Sequence, residues 1–517
     1  MIKNLLLTFL CLLLLFPNVY GQQLLGLSNS NYSGIHGIYS NPAAIADSRF
    51  RFSFNLFSVD GNASNNYVRY KGPSSIFKAL RNDEEFTEDY LEAVPTAKQK
   101  LFTSSVDFRG PAVMFTLGSR NSIALSSRVR GAFQMNNVSG NIADLIKTGG
   151  ESDDLINQVN KNNEISLNGN MQAELGLSYA REIMNTGLHY IKGGITVKKL
   201  TGIYSAHFIN RDVTFRVEEQ YNAADPEASD IVVNIDNIDL QYGYITEDPL
   251  QDIDAAKILG WLTKGDAPGY GWGGDIGFTY EYRPRMEKFH YTANGQDYID
   301  RQQEKYKFRF SAALMDLGKI RYDNAGYIKS FDLKRADKVL RLRDFEEAEN
   351  TEDYTDIINE SLDIQPADGN TAFQSGLPTA MNLNADFNII GRFYVNATWI
   401  QSLRGKYAVS MHQSSLLALT PRLDTKGFTL ALPLSVYNNY SVFAVGAMVK
   451  VGPYFIGSDN IGGAFNIGSA YGANVYTGLS FSIGQAKQKD KKGKKKKGAP
   501  QAPAEAGSTP AAARMGH

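Results

Sequence analysis

The side chains in this 517-residue sequence that could do chemistry are charges set at every second position of apolar runs. Arg128 and Arg130 flank Val129, and Lys307 and Arg309 flank Phe308. Asp275 and Glu281 share one parity of a run whose other parity is Ile276, Phe278, Tyr280 and Tyr282. Charges behind an apolar strand face belong in an aqueous lumen, where they would either tune selectivity or pair with one another and fill the interior. Asn41 and Pro42 are positional residues. Proline restricts its predecessor and has no ladder donor, so the pair would fix a turn that docks a plug, or simply the turn before the first strand. Catalytic patterns are missing. The six histidines, at 36, 189, 207, 290, 412 and 517, include no His-Glu-x-x-His and no metal-ligand spacing. The sequence has no G-x-S-x-G elbow, no phosphate-loop lysine motif and no dinucleotide-binding glycine run. A Ser–His pair assembled in space, such as Ser178 with His189, is the one enzymatic option left, and it is outweighed by an ordinary barrel histidine. No enzyme, metal or cofactor is therefore expected.

Elements that could position such charges are strands with period-two alternation. Phe50, Phe52, Phe54 and Leu56 alternate with Arg51, Ser53 and Asn55, and the same pattern runs through 123–130, 172–179, 275–282, 307–314, 392–399, 428–434 and 443–449. The last run, Asn474–Ile483, puts Val475, Thr477, Leu479, Phe481 and Ile483 on one face and small or polar residues on the other. Strands of roughly 9–11 residues with one apolar face fit a bilayer. Short connections at Gly118–Asn121, Met184–Gly187 and Tyr437–Tyr440 contrast with long inserts at Pro73–Ser105, Asn136–Asn163, Asn222–Tyr270 and Asp323–Leu377. Short turns at one end and long loops at the other favour a barrel over a sandwich. The expected fold is all-β, a transmembrane antiparallel β-barrel of about 14 strands (range about 12–16), with a short N-terminal plug segment and partly helical extracellular loops. Ile253, Ile258, Leu259 and Leu262 imply an amphipathic helix after Pro249, either a lid over the pore or a helix on the rim. Asp230–Asp254 reads as a solvated acidic loop, with cation bridging to lipopolysaccharide as the weaker option.

The two ends set the address. Lys3 followed by the apolar run Leu5–Phe16 and small residues Val19 and Gly21 reads as a signal peptide over 1–21, cleaved before Gln22. The lone Cys11 lies inside it, so the mature chain has no thiol chemistry. Residues 22–47 would form the plug or hatch-like segment and 48–484 the barrel. Gln485–His517 holds eight Lys and one Arg against Asp490 and Glu505, in a Lys/Ala/Pro-rich stretch that cannot build a core. This disordered basic tail would lie in the periplasm, where it would either hold a periplasmic or cell-wall partner or serve only as a solubilising spacer. It has no interleaved aromatics and lies in the wrong compartment, so no nucleic-acid partner is expected. The expected location is the outer membrane of a Gram-negative cell, with outer-membrane lipid and lipopolysaccharide around the wall.

Three segments carry resemblances. Tyr476, Gly478, Phe481 and Ile483 match the signal by which barrel assembly machinery reads outer-membrane barrels. NPAAIA at Asn41–Ala46 resembles the Asn-Pro-Ala segment near the start of the FadL-like/PorV-like superfamily of long-chain fatty-acid transporters. GWGGDIGFTYEYRP, LMDLGKIRY and GPYFIGSDN look like an uncharacterised Bacteroidota outer-membrane family. The resemblance implies 14 strands, an N-terminal plug and FadL-like passage of a small hydrophobic compound. The alternative is a non-conducting barrel that anchors partners in type IX-like secretion or surface-assembly machinery.

Overall fold

The computed structural model describes residues 24–74, 90–94, 98–220, 230–246, 255–264, 267–323, 328–346, 348, 351–365, 369–462 and 471–487. The signal segment 1–21 and the tail beyond 487 lie outside the described residues.

Alternation produces one antiparallel wall of 14 staves. In chain order they are Phe50–Asn65, Lys100–Leu117, Asn121–Val138, Asn160–Asn185, His189–Gln220, Gly269–Tyr282 and Phe308–Tyr322. Then come Phe373–Gly376 continued by Ala380–Ile390, Phe393–Ser402, Leu416–Asp424, Phe428–Ala431 continued by Leu434–Tyr437, Val442–Val445 continued by Ala447–Val451, Tyr454–Ser458 and Gly472–Gly484. The first stave pairs with both the second and the last, so the sheet closes on itself. Closure leaves no sheet edge around the ring, which is what a hydrocarbon medium demands of backbone donors and acceptors. The outer face carries a belt of exposed large apolar residues, among them Leu125, Leu177, Phe278, Leu417, Phe443 and Phe481. The inner face is lined by Ser, Asn, Thr and paired charges. This inverted pattern is that of a membrane-spanning barrel of the outer-membrane type.

Both barrel termini and the tight turns after Leu117, Asn185 and Ile390 lie at one end, called here the terminal end; the long inserts lie at the other, the loop end. Two connections depart from that rule. The short link Asn438–Ser441 lies at the loop end, compressed by three successive residues with positive φ, Asn438, Asn439 and Tyr440. At the terminal end, 283–307 is long and carries the hairpin His290–Ala293/Gln296–Ile299. Phe50, expected to face outward, turns into the bore and is 3% exposed, because a register shift between Phe50 and Phe52 flips its parity.

Two inserts expected as loops are strands. Asp230–Ile245 pairs with the upper part of His189–Gln220, and Ile328–Arg341 pairs with Asp230–Ile245. In the first of them Val233, Ile235, Ile238, Leu240, Tyr242 and Tyr244 are buried, so its aspartates, half-buried on the other face, belong to a strand and not to an acidic loop. With the upper strands of the wall and the helices Gly140–Thr148 and Thr351–Ser361, they enclose an apolar core around Val213, Phe215, Val217 and Phe331. The stave His189–Gln220 has 32 residues, about 105 Å at about 3.3 Å per residue. A bilayer crossing uses roughly 9–11 residues, so most of this strand stands clear of hydrocarbon. The result is a folded platform at the loop end.

The helix expected after Pro249 runs Ala255–Lys264. It is not a lid. Ile258 and Trp261 pack on the outward side of the wall against Ala173, Leu175, Met171, Val129 and Ile203. Ile253 lies outside the described residues.

Candidate functional site: the occupied bore

The segment from Leu24 to Ser48 runs down the inside of the barrel. It begins toward the loop end, where Leu25 packs with Ile400, Leu416, Tyr437 and Val442, and Leu24 and Leu27 pack with Met448, Phe455 and Tyr476. It ends at the terminal end, where Ile35, Ile38 and Ile45 meet Phe50, Met114, Ala124 and Ala180. Two 3₁₀ helices, Gly34–Tyr39 and Pro42–Ile45, give it shape. Gly34 has φ +58, and a side chain there would strike Ser53 Oγ at 2.5 Å, so glycine is required for both conformation and space.

Asn41 and Pro42 form the contact between this segment and the wall. Asn41 Oδ1 accepts from the Ala43 N–H at 2.8 Å and caps the helix that Pro42 opens. Asn41 Nδ2 donates to the carbonyls of Phe278 at 3.0 Å and Ala312 at 3.4 Å. The turn fits against two glycines paired across neighbouring staves, Gly194 and Gly277. A Cβ at Gly194 would lie 2.5 Å from Pro42, and one at Gly277 would overlap the Asn41 amide.

Charged side chains fasten the rest. Arg422 makes a fork to Asp386 at 3.0 and 2.6 Å and also bonds Asp424 at 3.0 Å. Arg309 bonds Asp386 at 2.7 Å. Asp424 in turn accepts from the Asn31 N–H and the Ser30 hydroxyl, both at 2.8 Å. On the opposite wall Arg128 and Arg109 share Asp107, and the Arg109 guanidinium lies 4.3 Å from the Tyr39 ring centre. Arg130 reaches Glu174 and Asp316, and Lys198 bridges Asp275 at 2.8 Å and Asp316 at 2.6 Å. Glu281 pairs with Arg283 at 2.5 Å, with Lys192 at 3.8 Å. At the terminal end Asp47 is ringed by Arg49 and Arg283, each at 2.8 Å, and by Lys305 at 3.6 Å. Burial pushes the Asp47 carboxyl up, but Arg49, Lys305 and Arg283 outweigh it and hold the group well below the usual carboxylate range.

Of the charges singled out by alternation, Arg128, Arg130, Asp275, Glu281 and Arg309 face the bore and are paired there. Lys307 is not inside. It precedes the first ladder residue of its stave, is exposed on the rim, and its Nζ caps the carbonyls of Asn388 and Ile389. Tyr476 and Gly478 face inward, with Tyr476 Oη donating to Asp459 at 3.1 Å, while Phe481 and Ile483 face outward at 46% and 62% exposure. The same alternation rule would have found Arg422, Asp424, Lys192 and Lys198. It would not have found Asp316, because a bulge between Leu314 and Leu317 breaks the period and leaves Asp316 at φ +55. Between segment and wall is a polar cavity of about 50 Å³ bordered by Asn29, Asn31, Lys192, Arg309 and Asn396, room for a water or two. Among the described residues no group of three or more His, Cys, Asp or Glu is arranged to hold a metal.

Residues 42–459 match the model of a family described as "Family of unknown function (DUF5723)". No curated protein matches the sequence. Among solved structures, the P. putida toluene transporter TodX is similar at 9% identity and TM-score 0.38, covering 90% of this chain and 99% of that one. A Pseudomonas aeruginosa FadL homologue is similar at 8% identity and TM-score 0.31, covering 90% and 99%. The CymD monoaromatic hydrocarbon channel is similar at 8% identity and TM-score 0.29, covering 90% and 98%. These likenesses are too slight to carry a property across.

Proposed function

We propose that this chain, which belongs to the DUF5723 family of unknown function, is a plugged outer-membrane barrel that anchors a folded platform on the cell surface, where the platform engages a partner. The observation that carries this reading is the platform core. Three wall strands continue beyond the belt and join two further strands and two helices around buried Val213, Phe215, Val217, Val233 and Phe331. A passage through the wall needs no such structure. The occupied bore supports the same reading, since arginines such as Arg422, Arg309, Arg128 and Arg130 are paired with wall carboxylates and the cavity beside the plug is of water size. In this orientation the short turns and the tail face the periplasm and the platform faces outward.

Passage of a small hydrophobic compound is the second reading. It is favoured by one observation: the bore is closed by a separate segment held through polar side chains, not by the staves themselves, and such a segment can be displaced. Planar-bilayer recording of the full chain separates the two. The intact protein is expected to show no steady conductance and no toluene uptake into liposomes, and a variant lacking 24–47 to conduct. Steady conductance or toluene uptake by the intact chain would overturn the anchoring reading.

A further inference from the structure

The outward face of three adjacent staves changes character abruptly near the loop end. Cross-strand register places Ile195, Ile276 and Leu314 in one row and Val197, Gly274 and Leu317 in the next. The following row is Lys199, Trp272 and Lys319, and the one after it is Thr201, Tyr270 and Arg321. Two apolar rows are thus followed by one row of cations around a tryptophan on all three strands, and then by Tyr270 and Arg321 beside the buried Thr201. Trp272 is 66% exposed and Tyr270 54%, and Lys319 and Arg321 are exposed. A fourth cation joins from the neighbouring loop. Arg404 donates to the carbonyls of Gly318 at 2.9 Å and Leu377 at 2.5 Å, and lies over Gly376, the partner of Lys319 on the next stave. Any side chain at Gly376 would come within 2.7 Å of the Arg404 guanidinium carbon. Among the described residues the acidic group in the patch is Asp323, engaged by Arg321 at 2.8 Å and by the Tyr270 hydroxyl at 3.0 Å. Beside the patch, the helix Ala255–Lys264 presses Trp261 onto the wall, with Lys257 Nζ 5.5 Å from its ring centre.

The height of this patch decides its partner. Tryptophan and tyrosine sit where hydrocarbon gives way to headgroups. Cations placed there meet the charged part of the lipid, not its chains and not bulk water. Strands are about 4.8 Å apart, so Lys199 and Lys319 stand roughly 10 Å from each other, with Trp272 between them as a flat floor. We propose that this face binds the phosphorylated headgroup of an anionic outer-leaflet lipid, with Lys319, Arg321 and Arg404 gripping phosphate and Trp272 and Tyr270 bedding the sugar or glycerol portion. The inference rests on the orientation of the barrel given above and is independent of whether the bore is closed.

The test uses the purified full chain in detergent, with bisphosphorylated lipid A as probe and native mass spectrometry as readout. The wild-type protein is expected to retain the lipid, and a Lys319→Gln/Arg321→Gln variant to bind it at least tenfold more weakly. A charge-preserving Lys319→Arg variant is expected to bind as wild type. Equal binding by the double variant would overturn the proposal, as would equal binding of lipid A stripped of its phosphates. Displacement of lipid A by millimolar inorganic phosphate would also overturn it, because the patch would then be a site for soluble anions. Heat-modifiability on gels checks assembly. If the double variant fails that check, Arg321→Gln alone is used, and binding unchanged from wild type would again overturn the proposal.

Discussion

Along the strand His189–Gln220 the burial code inverts. In its lower part Lys192, Thr196 and Lys198 are buried while Ile195 and Val197 are each 48% exposed. In its upper part Val213, Phe215 and Val217 are buried and Thr214, Arg216 and Glu218 take the other face. One strand therefore serves two solvents. Where hydrocarbon bathes the outside, the apolar side faces out and the interior is held by ion pairs and side-chain amides. Above the belt water bathes the outside, and the interior is apolar again. The change begins near Leu200, close to the row at which the outer face of the neighbouring staves turns from aliphatic to basic and aromatic, and is complete by Val213, with Ser205, His207 and Asn210 still buried in between. The barrel interior and the platform interior can therefore be attacked separately, because the same substitution has opposite consequences in each.

The largest expected effect is in the platform. Phe215 is 1% exposed within an apolar core. Phe215→Ala should cost about 3–5 kcal/mol of platform stability through lost contacts and a cavity. Hydrogen exchange across 206–245 should quicken while the heat resistance of the barrel stays at wild type. Simultaneous loss of both would show that platform and barrel unfold as one body, and the comparison would break.

The bore responds to a different chemistry. Arg422 and Asp386 are each 1% exposed in their side chains. Arg422→Ala should cost about 3 kcal/mol, the low end for breaking a buried pair, because Arg309 and the Tyr306 hydroxyl still serve Asp386. Its signature should be earlier heat-modification on gels, with exchange in the platform unchanged. An Arg422→Ala barrel as heat-resistant as wild type would mean that the ion pairs contribute little and that hydrocarbon matching alone holds the wall.

The two interiors were unequally legible in the sequence. Period-two alternation reveals the wall because hydrocarbon selects one parity over long runs, and it places Arg128, Arg130, Asp275, Glu281 and Arg309 inside. It fails where the period breaks: at Phe50, flipped by a register shift, at Asp316, beside a bulge, and at Lys307, one residue short of its ladder. The platform was nearly invisible. Val233, Ile235, Ile238, Leu240, Tyr242 and Tyr244 do alternate with polar residues, but an extra residue between Ile235 and Ile238 breaks the period at a register shift, and the intervening aspartates dominate the reading. The plug turn was visible as Asn41-Pro42, but its seat was not. That Gly194 and Gly277 adjoin across two staves is a fact of register, which no local pattern contains.

A smaller effect tests that seat. Asn41→Ala removes the cap on Ala43 and the bonds to Phe278 and Ala312. About 1 kcal/mol is expected from the cap alone. The change should appear as brief current bursts in planar bilayers on an otherwise silent background, since the turn leans on the wall without its polar ties. If Asn41→Ala is as silent as wild type, the glycine-lined fit of Pro42 is sufficient to hold the segment.

The smallest expected effect distinguishes the two regions by pH. His412 lies in the connection between Ser402 and Leu416, where its backbone N–H donates to Gln134 Oε1 at 2.7 Å and its Nε2 meets the Ala408 carbonyl oxygen at 3.3 Å. Burial lowers its imidazole below the ordinary value of 6.5; the Ala408 carbonyl opposes this and Arg404 adds to it. The folded chain thus keeps His412 neutral where an unfolded chain would take a proton. Its contribution is fully present above about 6.5 and is lost as pH falls through that value toward the lowered one, because the unfolded state then binds more protons. Acidification from about pH 7.5 to about pH 5 should weaken the loop, read as faster exchange over 403–415. His412→Gln should flatten that dependence. The effect should stay local, since the paired carboxylates that hold the bore, such as Asp386 with Arg422 and Arg309, are anchored by guanidinium groups that do not titrate in this range.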